Sequence, residues 1–284
     1  MDQYYLLGSP VAHSLSPAMM NYSFEQQGID ARYSVIDVKE DRIGEVVRKL
    51  RAEGASGWNV TMPVKHAMSL LCDELSTASE IGGSVNTVLH KDGKLYGYTT
   101  DGIGITDALA RAGEPVPGSS VTLLGTGGAA SAILIQAALD GASDITVFAN
   151  RPASAAHAER IAEKLRPLSD TKIRIRSYKE PGALRESLVQ SRILIQATSI
   201  GMRTAEQNGT DCLIPDASYL HAGLYVYDII YHPAETPLIK MAKEAGCRCE
   251  NGYSMLIGQG AASFRIWTGC GMNVEEVRRR VFPS

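Results

Sequence analysis

Three parts of this sequence hold residues whose types and spacing could do chemistry. The first is Val121-Thr122-Leu123-Leu124-Gly125-Thr126-Gly127-Gly128-Ala129-Ala130, an apolar strand running into a glycine turn. Ala129 to Leu139 is rich in alanine and leucine, so a helix follows directly. Gly125 permits the tight turn, Gly127 lets a pyrophosphate approach the backbone, and Ala130 is small enough for close helix–strand packing. Free amides and the positive dipole end at the helix start suit an anion. A plain βα turn of some other α/β fold is the competing reading, but both flanks have the form that dinucleotide binding requires.

The second part lies at the end of the next apolar run, Ile145–Ala149, which closes on Asn150-Arg151. An NAD enzyme usually places Asp or Glu there for the ribose hydroxyl. An acid would repel a 2′-phosphate, whereas an arginine pairs with it. This position favours NADP, and a solvated surface arginine is the alternative.

The third part is dispersed over the first hundred residues. Ser14 and Ser16 sit in the loop Gly8–Pro17, with Pro17 placed for the first turn of a helix. Ser16 alone reads as a helix cap; together the two hydroxyls could meet a substrate anion. Lys65 follows Trp58-Asn59-Val60-Thr61-Met62-Pro63-Val64 near a helix start, where the dipole disfavours its cation. Asp101 closes Tyr98-Thr99-Thr100 and opens another helix, and taken by itself it reads as an N-cap.

Strands that end at such residues must hold them in place. From Gly118 onward, strand-like runs at Val121–Leu124, Ile145–Ala149, Lys172–Ile175, Ile193–Ala197, Leu224–Ile229 and Arg248–Glu250 alternate with helical patterns. Ala158, Ile161, Ala162 and Leu165 recur at helical spacing, as does the segment Leu238 to Ala245. Such alternation predicts a parallel, doubly wound sheet. In the first hundred residues, Tyr4–Leu7, Ala31–Asp37, Gly57–Val60 and Ser84–His90 read as strands and Arg42–Glu53 as a helix. Lys91-Asp92-Gly93-Lys94 is a hairpin signal that returns through Leu95–Tyr98. Two further helical patterns, Met255–Thr268 and Val274–Phe282, have no strand after them and are expected to pack back on the first domain.

At 284 residues the chain has room for two domains. We place a substrate domain at residues 1–101, completed by 252–284, and a Rossmann-type dinucleotide domain at 102–251. With 44% hydrophobic and 21% charged residues and a net charge of −3, the composition suggests neither nucleic acid nor a membrane as partner. No run approaches a membrane span, and the first residues lack the blocks of a signal peptide. Five cysteines without a C-x-x-C argue against a disulfide framework and for a reducing cytoplasm. Six histidines without an i, i+4 pair give no reason to expect a metal.

Several blocks, in order, resemble the motifs of shikimate dehydrogenases. They are His13-Ser14-Leu15-Ser16-Pro17, Asn59-Val60-Thr61-Met62-Pro63-Val64-Lys65, Val85-Asn86-Thr87-Val88 and Thr100-Asp101-Gly102. Gly125-Thr126-Gly127-Gly128-Ala129, Thr198-Ser199-Ile200-Gly201-Met202 and Tyr231-His232-Pro233-Ala234-Glu235-Thr236-Pro237-Leu238 follow. The last block runs from Asn251-Gly252-Tyr253-Ser254 to Gln259-Gly260-Ala261. The resemblance covers essentially the whole chain and implies an NAD(P)-dependent oxidoreductase that interconverts 3-dehydroshikimate and shikimate. It makes Lys65 the acid/base, or a stabiliser of developing negative charge, with Asp101 orienting it. It implies that Ser14 and Ser16 hold the substrate carboxylate and that Thr61, Asn86, Asp101 and Gln259 address ring hydroxyls, with Tyr231 lining the site. Gly125, Gly127, Gly128, Ala129, Asn150, Arg151, Thr198, Met202 and Gly252 become the cofactor residues. A homodimer is the candidate assembly.

The chain also departs from the family pattern. Thr99 stands where asparagine is common before Thr-Asp, Ser84 where alanine is, and Gln196 where asparagine is. The NADP signature Asn-Arg-Thr-x-x-Arg is reduced to Asn150-Arg151-Pro152-Ala153-Ser154-Ala155, without its second arginine. NADP is therefore expected to be preferred, with NAD as second cofactor. The loop from Arg203 to Asp216 is longer than in short biosynthetic members and resembles the quinate/shikimate dehydrogenase branch, which makes quinate a candidate second substrate. Two rival readings are a dinucleotide-binding regulator without turnover and a reductase of an amino-substituted shikimate analogue. Lys65, Asp101 and Gln259 speak against the regulator, which has no need of a proton-transfer pair.

Overall fold

The computed structural model describes residues 1–203 and 208–282, so the long loop after Met202 falls partly outside the described residues. The chain opens with β1 (Asp2–Gly8), α1 (Ser16–Gln26), β2 (Ala31–Asp37), α2 (Ile43–Ala52), β3 (Gly57–Val60) and α3 (Lys65–Ser69). It continues through β4 (Glu74–Leu75), α4 (Thr77–Gly82), β5 (Thr87–Lys91), β6 (Lys94–Tyr98) and α5 (Asp101–Arg111). Next come β7 (Ser120–Leu124), α6 (Gly128–Leu139), β8 (Asp144–Ala149), α7 (Pro152–Leu165), β9 (Lys172–Ser177) and α8 (Ala183–Gln190). The last elements are β10 (Ile193–Gln196), β11 (Tyr225–Asp228), α9 (Pro237–Glu244), β12 (Arg248–Glu250), α10 (Tyr253–Thr268) and α11 (Val274–Val281). Residues 1–104 and 256–284 form one compact unit, and residues 105–255 form another.

The first unit is built on a mixed sheet in the order β2-β1-β3-β5-β6-β4. β1 runs parallel to both β2 and β3, while β5 is antiparallel to β3 and β6. Asp92 and Gly93, with φ of 52° and 76°, make the β5–β6 hairpin turn that the Asp-Gly pair signals. Ile43, Val47 and Leu50 share one face of α2 and are buried with Leu7, Trp58, Val60, Val88 and Leu95. The two C-terminal helices pack on this unit, as expected for segments with no strand to follow. Phe264 of α10 lies 5.2 Å from the Phe24 ring, and Trp267 donates its indole N–H to the Val88 carbonyl at 2.9 Å.

In the second unit all six strands are parallel, in the order β12-β11-β10-β7-β8-β9. That is the doubly wound arrangement expected from the sequence, with its switch point between β7 and β10. Ligands of such sheets bind outside the carboxyl ends of the strands at that point. The buried run Ala130–Ile135 of α6 and the fully buried β10 explain why this half reads as continuous apolar stretches.

Some local expectations are corrected. The strand read from Ser84 begins only at Thr87, because the amides of Ser84 and Val85 turn away to the carbonyls of Ser79 and Lys65. Ser16 does not cap α1: it is the helix's first residue, Leu15 holds the cap position without a capping side chain, and the Ser16 amide is accepted by Ser14 Oγ instead.

Candidate active site

Lys65 is the first residue of α3 and Asp101 the first of α5. Val64 is fully buried beneath α3, and the Lys65 carbonyl accepts the Val85 amide at 3.1 Å, so the backbone that carries the lysine is fixed. Lys65 Nζ donates to Asp101 Oδ2 at 2.6 Å, with the two side chains 27% and 15% exposed. Water and a small molecule can therefore reach a pair whose mutual orientation the protein sets. The Asp101 side chain is engaged with Lys65 and Asn86, which goes beyond the helix cap that its sequence position alone suggests.

Asn86 completes the group by donating from Nδ2 to Asp101 Oδ1 at 2.8 Å. Its Oδ1 accepts the Thr100 amide at 2.8 Å, and the Thr100 and Thr87 hydroxyls each lie 3.1 Å from it. Behind them Ser263 of α10, fully buried, lies 2.7 Å from the Thr87 hydroxyl and accepts from Asn59 Nδ2 at 2.9 Å. Asn59 is in turn held by the Tyr33 hydroxyl at 2.9 Å. Every member of this buried network has a partner, the condition under which it rigidifies a site.

The remaining substrate-site residues are placed as follows. Ser14 Oγ accepts the Ser16 amide at 3.2 Å, which puts both hydroxyls at the start of α1. Thr61 lies between β3 and α3, its amide bonded to the Leu7 carbonyl at 2.8 Å. A Cβ on Gly8 would overlap the Thr61 side chain, so only glycine fits there. Gln259 sits on α10 and donates to the Leu256 carbonyl at 2.9 Å. Neither Thr61 nor Gln259 has a side-chain hydrogen bond to Lys65, Asn86 or Asp101 among the described residues. Tyr231 belongs to the second unit, 44% exposed, with its ring 5.6 Å from that of Tyr253.

In the second unit a cavity of about 660 Å³ opens at the switch point. Gly125, Asn150, Arg151 and Thr198 line it; Gly127, Gly128, Ala129, Met202 and Gly252 do not. Gly125 has φ +113°, and a Cβ there would lie 2.8 Å from the Ala197 carbonyl. At Gly127 and Gly128 a Cβ would meet nothing within 4 Å, so the space before α6 is open. No side chain caps α6, which leaves its first amides for an anion. This donor set, the open space and Arg151 at the end of β8 fit a dinucleotide. A Cβ on Gly252 would overlap the Ile229 carbonyl, so this glycine serves a close backbone approach.

Gln196, one of the departures from the family pattern, organises the loop that carries Thr198. Its Oε1 accepts the Thr198 amide at 2.6 Å, and its Nε2 reaches the Ile200 carbonyl at 3.0 Å and Asp228 at 3.3 Å. Asp228 is fully buried and also accepts from Thr236 at 2.7 Å and the Ile230 amide at 3.0 Å. Burial lifts its carboxyl to about 6, against the pull of these donors. The sequence reading missed Tyr178, Lys179 and Arg185, which also line the cavity. The signal available for them was strand order: β9 lies beside β8, so its end opens on the same side.

A doubly wound dinucleotide-type unit, joined in one chain to an α/β unit with a solvent-accessible Lys–Asp pair, defines a dinucleotide-dependent oxidoreductase. Comparison with known proteins makes this specific. Residues 6–88 match the shikimate dehydrogenase substrate binding domain, and residues 252–282 match the shikimate 5′-dehydrogenase C-terminal domain. A shikimate dehydrogenase (NADP(+)) of Listeria monocytogenes is 39% identical over 277 residues, covering 98% of this chain and 94% of that protein. The crystal structure of a shikimate 5-dehydrogenase from Listeria monocytogenes, in complex with shikimate and NAD, superposes with a TM-score of 0.94 at 39% identity. It covers 99% of this chain and 96% of its own. A shikimate dehydrogenase in complex with NADP+ gives a TM-score of 0.85 at 35% identity, covering 99% and 94%. The chain belongs to the shikimate dehydrogenase family.

Proposed function

We propose that the chain interconverts 3-dehydroshikimate and shikimate, with NADP as preferred dinucleotide and NAD as the second. The observation that carries the reading is the 2.6 Å contact between Lys65 Nζ and Asp101 Oδ2. An ammonium has three donors. One is held by Asp101, and the others are available to a substrate oxygen. In the direction of reduction, Lys65 Nζ gives a proton to the carbonyl oxygen; in oxidation it takes the hydroxyl proton back. Asp101 keeps Nζ aimed and balances its charge. A dinucleotide held at Gly125, Arg151 and Thr198 would supply or accept the hydride.

Ser14 and Ser16 offer hydroxyls at the start of α1 for the substrate carboxylate. Thr61, Asn86 and Gln259 supply the polar contacts to ring hydroxyls, and Tyr231 is an aromatic contact. The second N–H of Asn86 Nδ2 is the one free for a ligand. At the end of β8, Arg151 with no acid beside it supports NADP. Gly127, Gly128 and Ala129 would present backbone to the pyrophosphate, with Met202 and Gly252 as further cofactor-binding residues. Quinate is the candidate second substrate.

Among the described residues no helix is long and apolar enough to cross a membrane. The five cysteines are all unpaired thiols, which supports a reducing cytoplasm. β2 is an edge strand with Val35 40% exposed, which supports a homodimer. Steady-state kinetics with shikimate and quinate, each against NADP and NAD, tests the reading. Turnover of shikimate with NADP above the other three combinations is expected. No turnover with either dinucleotide would favour the regulator, and turnover only of an amino-substituted ring would favour the third reading.

A further inference from the structure

β8 and β9 are neighbours at one edge of the parallel sheet, and their register sets Ala149 opposite Ser177. Arg151 and Lys179 each stand two residues beyond that pair, so two cations leave adjacent strand ends. Adjacent strands run about 4.8 Å apart, close enough for both long side chains to converge on one anion. Both residues line the cavity that Gly125 and Thr198 also line.

The other charged groups on this cavity are already engaged. Arg185 donates to the Ser218 carbonyl and hydroxyl, each at 2.9 Å, and lies 4.0 Å over the Tyr219 ring. Glu180 is held by both arms of Arg176, at 2.6 and 2.5 Å, and Glu186 lies 3.7 Å from the same guanidinium. Arg174 of β9 faces Asp144 at 3.4 Å. The side chains of Arg151 and Lys179 have no ion-pair partner among the described residues. Two like charges brought together without a counter-ion repel, and an anion between them turns that repulsion into attraction.

We propose that Lys179 is a specificity residue of the cofactor site, joining Arg151 on the 2′-phosphate of NADP. The proposal rests on the dinucleotide reading of this cavity and extends it to a strand beyond the glycine turn. A phosphate monoester carries roughly −1.5 to −2 charge at neutral pH and three acceptor oxygens. A guanidinium fork takes two oxygens, and the third is left for a point cation such as an ammonium. Ala155 provides no charge on α7, so β9 supplies the second cation. A ribose hydroxyl is neutral and gains little from the pair, so Lys179 separates NADP from NAD.

The test is calorimetric titration of the full-length protein with 2′,5′-ADP and with 5′-AMP, which differ by that phosphate and need no turnover. Lys179→Ala is expected to weaken 2′,5′-ADP by roughly 10-fold, the low end for a lost charge-assisted contact at an exposed position. Affinity for 5′-AMP should stay unchanged, and Lys179→Arg should restore most of the loss. The difference should shrink in about 1 M salt, where the screening length is about 3 Å. An unchanged 2′,5′-ADP affinity in Lys179→Ala, or an equal loss for 5′-AMP, overturns the proposal. A wild type that fails to distinguish the two probes overturns it as well. In that last case, turnover of shikimate with NAD in the same preparation would leave the family activity standing.

Discussion

Asn86 meets Asp101 through its side-chain nitrogen, at 2.8 Å, rather than through its oxygen. The orientation is imposed from behind, because Asn86 Oδ1 already accepts the Thr100 amide. The hydroxyls of Thr87 and Thr100 stand beside the same oxygen and lead back to Ser263 on α10. A donor is thus aimed at one oxygen of Asp101, and the other oxygen is left to Lys65.

Replacing that donor by an acceptor should therefore loosen Asp101 from its place beside Lys65 as well as disturb how the site packs. In Asn86→Asp the Thr100 donors still have an oxygen to bind, but a second carboxyl now faces Asp101. Two like charges on one site repel, so Asp101 should be pushed from its 2.8 Å partner and Lys65 left less well aimed. The kcat/KM for shikimate should fall by roughly 10-fold or more, with NADP affinity kept. An unchanged kcat/KM would make Asn86 a bystander to the pair.

Lys65→Ala should lower kcat by at least about 10²-fold, the range for losing a positioned acid/base group, while the far-ultraviolet spectrum and NADP affinity persist. Asp101→Asn should behave similarly. The double variant should be little worse than either single one, since groups acting as a unit are not additive. Near-normal kcat in Lys65→Ala would remove it from the chemistry, and full additivity would mean that the 2.6 Å pair is not a functional unit.

The sequence carries some of this legibly and some not at all, for physical reasons. The glycine turn and Arg151 can be read because their constraint is local: a strand end, a φ that favours glycine at Gly125, and a helix start lie within a few residues. The Lys65–Asp101 pair is 36 positions apart, and no periodicity joins them. The ordered blocks of the family resemblance single out both residues, and the hydrogen bond joins them. Ser263 is illegible because a serine in a helix among alanine and phenylalanine reads as a small packing residue. Only the fold brings it against Thr87 and Asn59. Lys179 escapes because β9 runs to Ser177, two residues beyond the strand read from the apolar pattern. The start of α3 can be read from the residues before Lys65, whereas α4 and α8 are too brief for a 3.6-residue period to show.

Ser14→Ala and Ser16→Ala should raise the KM for shikimate and leave the Kd for NADP alone. Both hydroxyls lie at the start of α1 in the first unit, whereas the glycine turn belongs to the second. Each lost hydrogen bond to a carboxylate is worth about 1.5–3 kcal/mol, or roughly 10- to 150-fold. Ser14 also accepts the Ser16 amide, so its removal additionally loosens the first turn and should show the larger effect. If both variants change only the cofactor parameters, the serines do not hold the substrate anion.

Asp228 gives a pH dependence whose sign can be fixed in advance. Burial raises its folded-state value to about 6, from about 3.9 in the unfolded chain. Between those values the folded protein holds a proton that the unfolded chain has released. The stability tied to that proton is complete below the unfolded value and is lost as pH rises through 6. A shift of two units corresponds to about 3 kcal/mol at its limit. Asp228→Asn keeps an acceptor for the Ile230 amide and Gln196 Nε2 but cannot titrate. Thermal melts of both proteins should show the wild type gaining on the variant by several degrees as pH falls from about 7.5 to about 4.5. The comparison cancels the titration of carboxyls the two proteins share. A constant difference in Tm across that range would mean that the carboxyl stays ionised, held by the three donors that also tie it to the Thr198 loop through Gln196.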